Sequence, residues 1–156
     1  MKKKYIYALD LSQNSSGVCI FTNDGKLIKT FTIDTNSEKE TKLKLRIIGN
    51  EFVKIMKEYP PDIVVIEQGF TLYNPSTQAI FRVHGLVNYL FSEYEQIYYP
   101  ASTVKKVVGG KGNMSKEEIH DALHKKYPNI KFKNYDESDA FSVGETYFIK
   151  KGIIHA

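Results

Sequence analysis

The chain has 156 residues, 42% of them apolar and 26% charged, with a formal net charge of +4. That length predicts one domain over 1–156 with a sizeable core, and nothing approaches the run of about 20 apolar residues that a membrane helix needs. The single cysteine, Cys19, has no partner within the chain, which fits a reducing compartment, so the expected location is cytoplasmic.

In chain order, residues 4–10 read as a strand. The segment has a basic edge and a short apolar stretch, ends in a charge and lacks a small-residue cleavage pattern, so it is not read as a leader. Ser12 to Gly17 reads as a turn and Val18 to Thr22 as a second strand. Asn23-Asp-Gly25 is a hairpin signal, and the alternation from Leu27 to Ile33 predicts a third strand near a sheet edge. Ser37-Glu-Lys-Glu40 has the form of a capping box. Behind it, Leu43, Ile47, Phe52, Ile55 and Met56 recur at helical spacing until Tyr59-Pro-Pro-Asp62 stops the helix.

Ile63 to Ile66 is wholly apolar and predicts a central strand covered on both faces. Asn74-Pro75 opens a helix with Ile80, Val83, Val87 and Leu90 on its apolar face, widened by Phe81, Leu86 and Phe91. Gln96 to Tyr99 is a short strand. Ser102 to Val108 begins helically and breaks at Gly109-Gly110. Ser115-Lys-Glu-Glu118 is a second capping box opening a helix to about Tyr127, and a last helix runs from about Glu137 to Lys150. The order β-β-β-α-β-α-β-α-α-α predicts an α/β fold, a five-stranded mixed sheet flanked by helices.

Four carboxylates occupy informative places. Asp10 ends the first apolar run and Glu67 the strand of 63–66, while Asp136 and Asp139 open the last helix. Ligand sites in open α/β sheets form beyond the carboxyl ends of strands, and residues three apart share a helix face. Each acid alone has an ordinary explanation, such as a turn or the favourable end of a helix dipole. Together they describe an oxygen-rich site for magnesium or manganese rather than zinc, able to cut phosphodiesters. The histidines at 84, 120, 124 and 155 are scattered. His120 and His124 lie four apart without the glutamate of an HExxH arrangement, and are read as helix-surface residues.

Residues 100–133 carry Lys105, Lys106, Lys111, Lys116, Lys125, Lys126, Lys131 and Lys133 against Glu117, Glu118 and Asp121. Lys105, Lys111 and Lys116 flank the glycine-rich loop and are expected to meet phosphates. The lysines from 125 to 133 are read as solvated surface. Lys116 is assigned to the chemistry, because a cation in a helix's first turn opposes the dipole and invites a functional reason.

Four blocks carry a family resemblance: Ala8-Leu-Asp-Leu-Ser12 through Gly17, Val65-Ile-Glu-Gln-Gly-Phe70, Ala101-Ser-Thr-Val-Lys-Lys-Val-Val-Gly-Gly110 through Lys116, and Asp136-Glu-Ser-Asp-Ala-Phe141. In these the chain resembles RuvC-type Holliday junction resolvases, in the short form carried by bacteriophages of Gram-positive hosts such as lactococcal phages. The resemblance spans about residues 4–150. It implies an RNase H-like fold and a homodimer acting on four-way and branched DNA, in a bacterial host cytoplasm if phage-encoded. It also implies metal ligation by Asp10, Glu67, Asp136 and Asp139, with two magnesium ions per site and manganese able to substitute. DNA contacts fall to Phe70, Lys105 and Lys116, with Lys111 added by its place in the basic loop, and the helix of 75–91 becomes the dimer helix. The products would be 5′-phosphate and 3′-hydroxyl ends.

Cellular members typically place Pro-Gly after the first aspartate, whereas this chain has Leu11-Ser12, a departure that implies relaxed sequence preference. Two other readings stay open: an RNase H-like nuclease acting on RNA, and a branched-DNA binding protein without catalysis. An actin-like ATPase also opens with an Asp before a glycine-bearing hairpin, but this chain is too short for its two lobes.

Overall fold

β1 (Tyr5–Asp10), β2 (Ser15–Phe21) and β3 (Leu27–Asp34) form an antiparallel meander, and β4 (Pro61–Glu67) and β5 (Glu95–Tyr99) extend it in parallel, in the order β3-β2-β1-β4-β5. The structure, a computed structural model, describes residues 3–69 and 75–156. Five helices complete it: α1 (Thr41–Glu58), α2 (Pro75–Leu90), α3 (Ala101–Gly109), α4 (Lys116–Lys126) and α5 (Tyr135–Lys150).

The period-two alternation of strands divides the core. Tyr7, Leu9, Val64 and Ile66 face one side of the sheet and pack with Ile48, Phe52, Val83 and Val87 from α1 and α2. Ile6, Ala8, Cys19 and Val65 face the other and pack with Val104, Ile119, Phe141 and Val143 from α3, α4 and α5. Burial on both faces explains why Ile63–Ile66 carries no alternation of polarity. β3 is an edge strand, as its polarity predicted.

Three boundaries differ from the sequence reading. The turn after β1 is shorter than Ser12–Gly17, because Ser15, Ser16 and Gly17 already pair with Asp34, Ile33 and Thr32. Ser16 Oγ donates to Ser12 O at 2.7 Å and accepts from Ser12 N at 2.9 Å, which closes the turn. The Ser37–Glu40 capping box does not form. α1 begins at Thr41 with Glu40 as an N-cap that makes no side-chain bond. The preceding segment is committed elsewhere, since Glu38 N bonds Thr35 O and Thr35 N bonds Asn14 O. The second box does form, with Ser115 and Glu118 bonded reciprocally.

The last helix starts at Tyr135, two residues before the expected Glu137. Asn134 caps it by accepting from Glu137 N at 3.0 Å, and the buried Glu137 reaches back to accept from Lys133 N at 3.2 Å. Nor is Lys126 merely solvated: its ammonium pairs with the buried Glu145 carboxylate and donates to His155 O at 2.7 Å. Among the described residues, no helix is long and apolar enough to cross a membrane.

Candidate active site

β1 and β4 are adjacent and parallel, with Leu9 paired to Ile66, so Asp10 and Glu67 emerge at the same end of the sheet. α5 crosses that end and packs on β1 and β2. Asp10 pairs across the meander with Gly17. A Cβ at Gly17 would lie 1.9 Å from the Asp136 carbonyl oxygen. The missing side chain is therefore what lets the first turn of α5 descend onto the sheet beside Asp10.

The result is a cavity of about 240 Å³ lined by Asp10, Glu67 and Asp139 with Lys105 and Lys116. Burial first, then the charges of Glu67 and Asp139, raise Asp10 well above the usual carboxylate range. Glu67 is raised by burial and then by Asp139, and Asp139 mainly by burial. Lys116 Nζ lies 3.6 Å from Asp139 Oδ2. Burial pulls the Lys116 ammonium down, but Asp139, Asp10 and Asp136 outweigh it and raise it above its ordinary value. Lys116 and Lys105 do not relieve the three partly buried acids, since each still resists ionisation in the presence of the others.

That unrelieved repulsion is the property of a site that takes additional positive charge, and the all-oxygen donor set suits a hard divalent cation. Among the described residues, no three His, Cys, Asp or Glu side chains are already drawn into a cage around one point. A magnesium-type ion does not require one, because it keeps several waters and takes few carboxylates along with substrate phosphate oxygens. The residues fit such a group.

Asp136 stands apart from the other three. It does not line the cavity, although its charge is felt by Asp10, Asp139 and Lys116. Ser15 Oγ donates to its Oδ2 and so fixes its orientation. Ser15 escaped the sequence reading because it was assigned to a turn, and only the pairing of β2 against α5 brings it there. Lys111 is exposed on the loop outside the cavity. Phe70 lies outside the described residues.

One histidine departs from the surface assignment, and a second, left unplaced by the sequence reading, lies at the cavity. His120 is half-buried, with its ring against Phe132 and Tyr135 and its Nδ1 enclosed. The loop after α4 folds back over it, which helical spacing alone does not reveal. His84 is buried and lines the cavity. Its spacing of four from Ile80 placed it on the inward face of α2, a signal available in the sequence.

A five-stranded mixed sheet with helices on both faces and acids converging at the carboxyl end of its central strands defines the RNase H-like class of nuclease folds. The family model for crossover junction endodeoxyribonuclease RuvC matches residues 6–147. Among curated relatives, the RuvC of Ehrlichia chaffeensis is 31% identical over 144 residues, covering 88% of this chain and 92% of the relative. That of Ehrlichia canis is 29% identical over 137 residues, covering 85% and 87%. The solved structure of Thermus thermophilus RuvC in complex with a Holliday junction substrate superposes with a TM-score of 0.80 at 16% identity, covering 96% of this chain and 97% of that one. The chain belongs to the RuvC family.

Lys116 invites a direct test. Lys116→Ala is expected to lower single-turnover cleavage about 100-fold, the scale of removing one preorganised electrostatic group, and to weaken DNA binding only a few-fold. Equal losses in rate and affinity would reassign Lys116 to simple phosphate contact.

Proposed function

We propose that this protein is a structure-selective endodeoxyribonuclease that resolves four-way and other branched DNA by paired hydrolysis of phosphodiesters, leaving 5′-phosphate and 3′-hydroxyl ends with relaxed sequence preference. The observation that carries this reading is the convergence of Asp10, Glu67 and Asp139 in one cavity with Lys105 and Lys116, in a chain of the RuvC family. Asp10, Glu67, Asp139 and Asp136 would hold two magnesium ions, for which manganese substitutes. When bound, such ions activate water and polarise a phosphoryl oxygen.

The protein's own groups have separate tasks. Lys116 stabilises charge developing on the phosphate, and Lys105 holds the strand against the cavity. Lys111 follows the backbone farther out. The deciding experiment offers purified protein a mobile four-way junction, a Y-fork, linear duplex and an RNA–DNA hybrid, in magnesium and in EDTA. Magnesium-dependent cutting of the junction is expected. Preference for the hybrid would favour the RNA nuclease, and junction binding without cutting would favour an inactive binding protein.

A junction presents two equivalent scissile strands, so a two-fold dimer supplies one site to each. The stripe of Ile80, Val83 and Val87 does not serve this, because Val83 and Val87 are spent on the protomer's own core. The opposite face of α2 has the required character. Phe81 is 47% exposed, Tyr89 is 76% exposed, and a Cβ on Gly85 between them would meet nothing within 4 Å. Replacing both Phe81 and Tyr89 with Glu is expected to shift the light-scattering mass from dimer toward monomer and to uncouple the two cuts in a cruciform plasmid. Paired cutting by a variant that remains monomeric on DNA would exclude this face as the interface.

A further inference from the structure

The carboxylates and lysines occupy only part of the cavity wall. The rest is largely apolar, including Leu11, Ile80, Val104 and Ile119, and among these lies His84. His84 is 7% exposed. Its ring is flanked by those of Phe81 at 6.5 Å and Tyr98 at 6.3 Å. Asn88 in turn reaches the Tyr98 hydroxyl and Gln96 Oε1. The imidazole thus sits between two rings, one of them tied to Asn88.

Its Nε2 edge points to the end of β4. A Cβ built on Gly69 would stand 3.3 Å from Nε2, and Gly69 follows Glu67 by two residues. Any side chain at 69 would crowd this edge. Burial depresses the His84 pKa, which favours a neutral ring carrying one donor and one acceptor nitrogen. That makes it a poor clamp for phosphate beside two lysines and a suitable partner for a base edge. The cavity, at about 240 Å³, is smaller than pockets that enclose whole drug-sized ligands, so it has room for only part of a ligand the size of a nucleotide.

We propose that His84 contacts the substrate, its imidazole hydrogen-bonding the base of the nucleotide adjoining the cleaved phosphodiester while the apolar wall packs on that base. The inference rests on the junction-cleaving reading and adds to it a residue that senses base identity. The clearance at Gly69 serves Ile80 as well, whose Cγ2 a Cβ there would meet at 3.2 Å, so it is the opening to the cavity that sets His84 apart from a packing residue.

The test begins with the folded wild-type protein. With ¹⁵N-labelled histidine and no metal, the His84 ring resonances are expected to move on saturation with a four-way junction, while those of the exposed His124 stay. Single-turnover cleavage in magnesium is then measured on four junctions that differ in the base at the cut nucleotide. His84→Leu is expected to cut about tenfold more slowly, as for a buried hydrogen-bonding group left unpaired, and to change the ranking of the four substrates. His84→Gln is expected to recover the rate to within about threefold. Unmoved His84 resonances, or a Leu variant with wild-type rates on all four, would overturn the inference. If the Leu variant does not fold, the wild-type resonances decide. Wild-type protein that cuts none of the junctions would sink the junction reading itself, whereas normal cutting with a silent His84 sinks only this inference.

Discussion

Asp10→Asn is expected to abolish strand cleavage while leaving junction binding near the wild-type level. Asn keeps the size of the side chain but removes the charge at the point where Glu67 and Asp139 also converge. A loss of roughly 10³-fold or more in single-turnover rate, about 4 kcal/mol in barrier, is the expected scale. In the proposed reading the DNA is held by Lys105, Lys111 and Lys116, which the substitution leaves in place, so binding should survive. The same substitution makes an opposite prediction for stability. Asp10, Glu67 and Asp139 all ionise at higher pH in the fold than ordinarily, and ordinary carboxylates ionise near pH 4. Below that value all three are protonated whether the chain is folded or not, and repulsion is silent. As pH rises through their raised values, the native state holds protons that the unfolded chain has already released, so stability is lost with rising pH. In EDTA the wild type should therefore lose more stability between pH 5 and pH 8 than Asp10→Asn, and the variant should melt higher at pH 8. Magnesium should reverse the order. At 100 times its dissociation constant a bound cation contributes about 2.7 kcal/mol, roughly 5–10 °C for a chain of this size. Parallel melting curves for the two proteins across pH, with and without metal, would remove the carboxylate cluster from the account.

The order of elements was legible because the strands and helices announce themselves by period, and the apolar run of Ile63–Ile66 by its lack of one. The carboxylates were legible for a related reason: Asp10 and Glu67 stand where apolar runs stop, and a charge there marks a sheet's open end. Boundaries were less legible where two local signals competed. Ser37–Glu40 has the composition of a cap, but Thr35 is bonded to Asn14, a contact more than 20 residues away that no local window contains. Ser15 and His84 were missed on different grounds. Ser15 acquires meaning only when α5 returns over β2, 121 residues later in sequence. His84 lay on a face already read as apolar core, where a single polar residue was not weighed.

Gly17→Ala is expected to damage both stability and cleavage, although glycine has no side chain to offer a substrate. The residue is in a strand, where alanine is ordinarily no burden and glycine is itself weakening. Here the added methyl carbon would come within 1.9 Å of the Asp136 carbonyl oxygen and 3.2 Å from the Ala140 Cβ. Both neighbours belong to α5, and the first is backbone, so no side-chain rotation relieves the clash. Either β2 or the start of α5 must move. β2 is held on both sides by β1 and β3, and Phe141, Val143 and Phe148 anchor α5 in the core. The compliant part is the first turn of α5, which carries Asp136 and Asp139. A methyl forced into a packed contact costs about 1–3 kcal/mol, roughly 2–12 °C in melting temperature at this size. A shift of about 1 Å in Asp139 relative to Asp10 and Glu67 is enough to lower the rate about 100-fold. The variant should therefore bind junctions, melt a few degrees lower and cut slowly, with its rate more damaged than its stability at assay temperature. Comparison with Gly144→Ala separates position from general strain: that methyl would meet the Phe21 ring at 2.4 Å, about one and a half turns beyond Asp139 on α5. It should lower the melting temperature without a matching loss of cleavage. Equal cleavage by both alanine variants would mean that the first turn of α5 is not what places the acids.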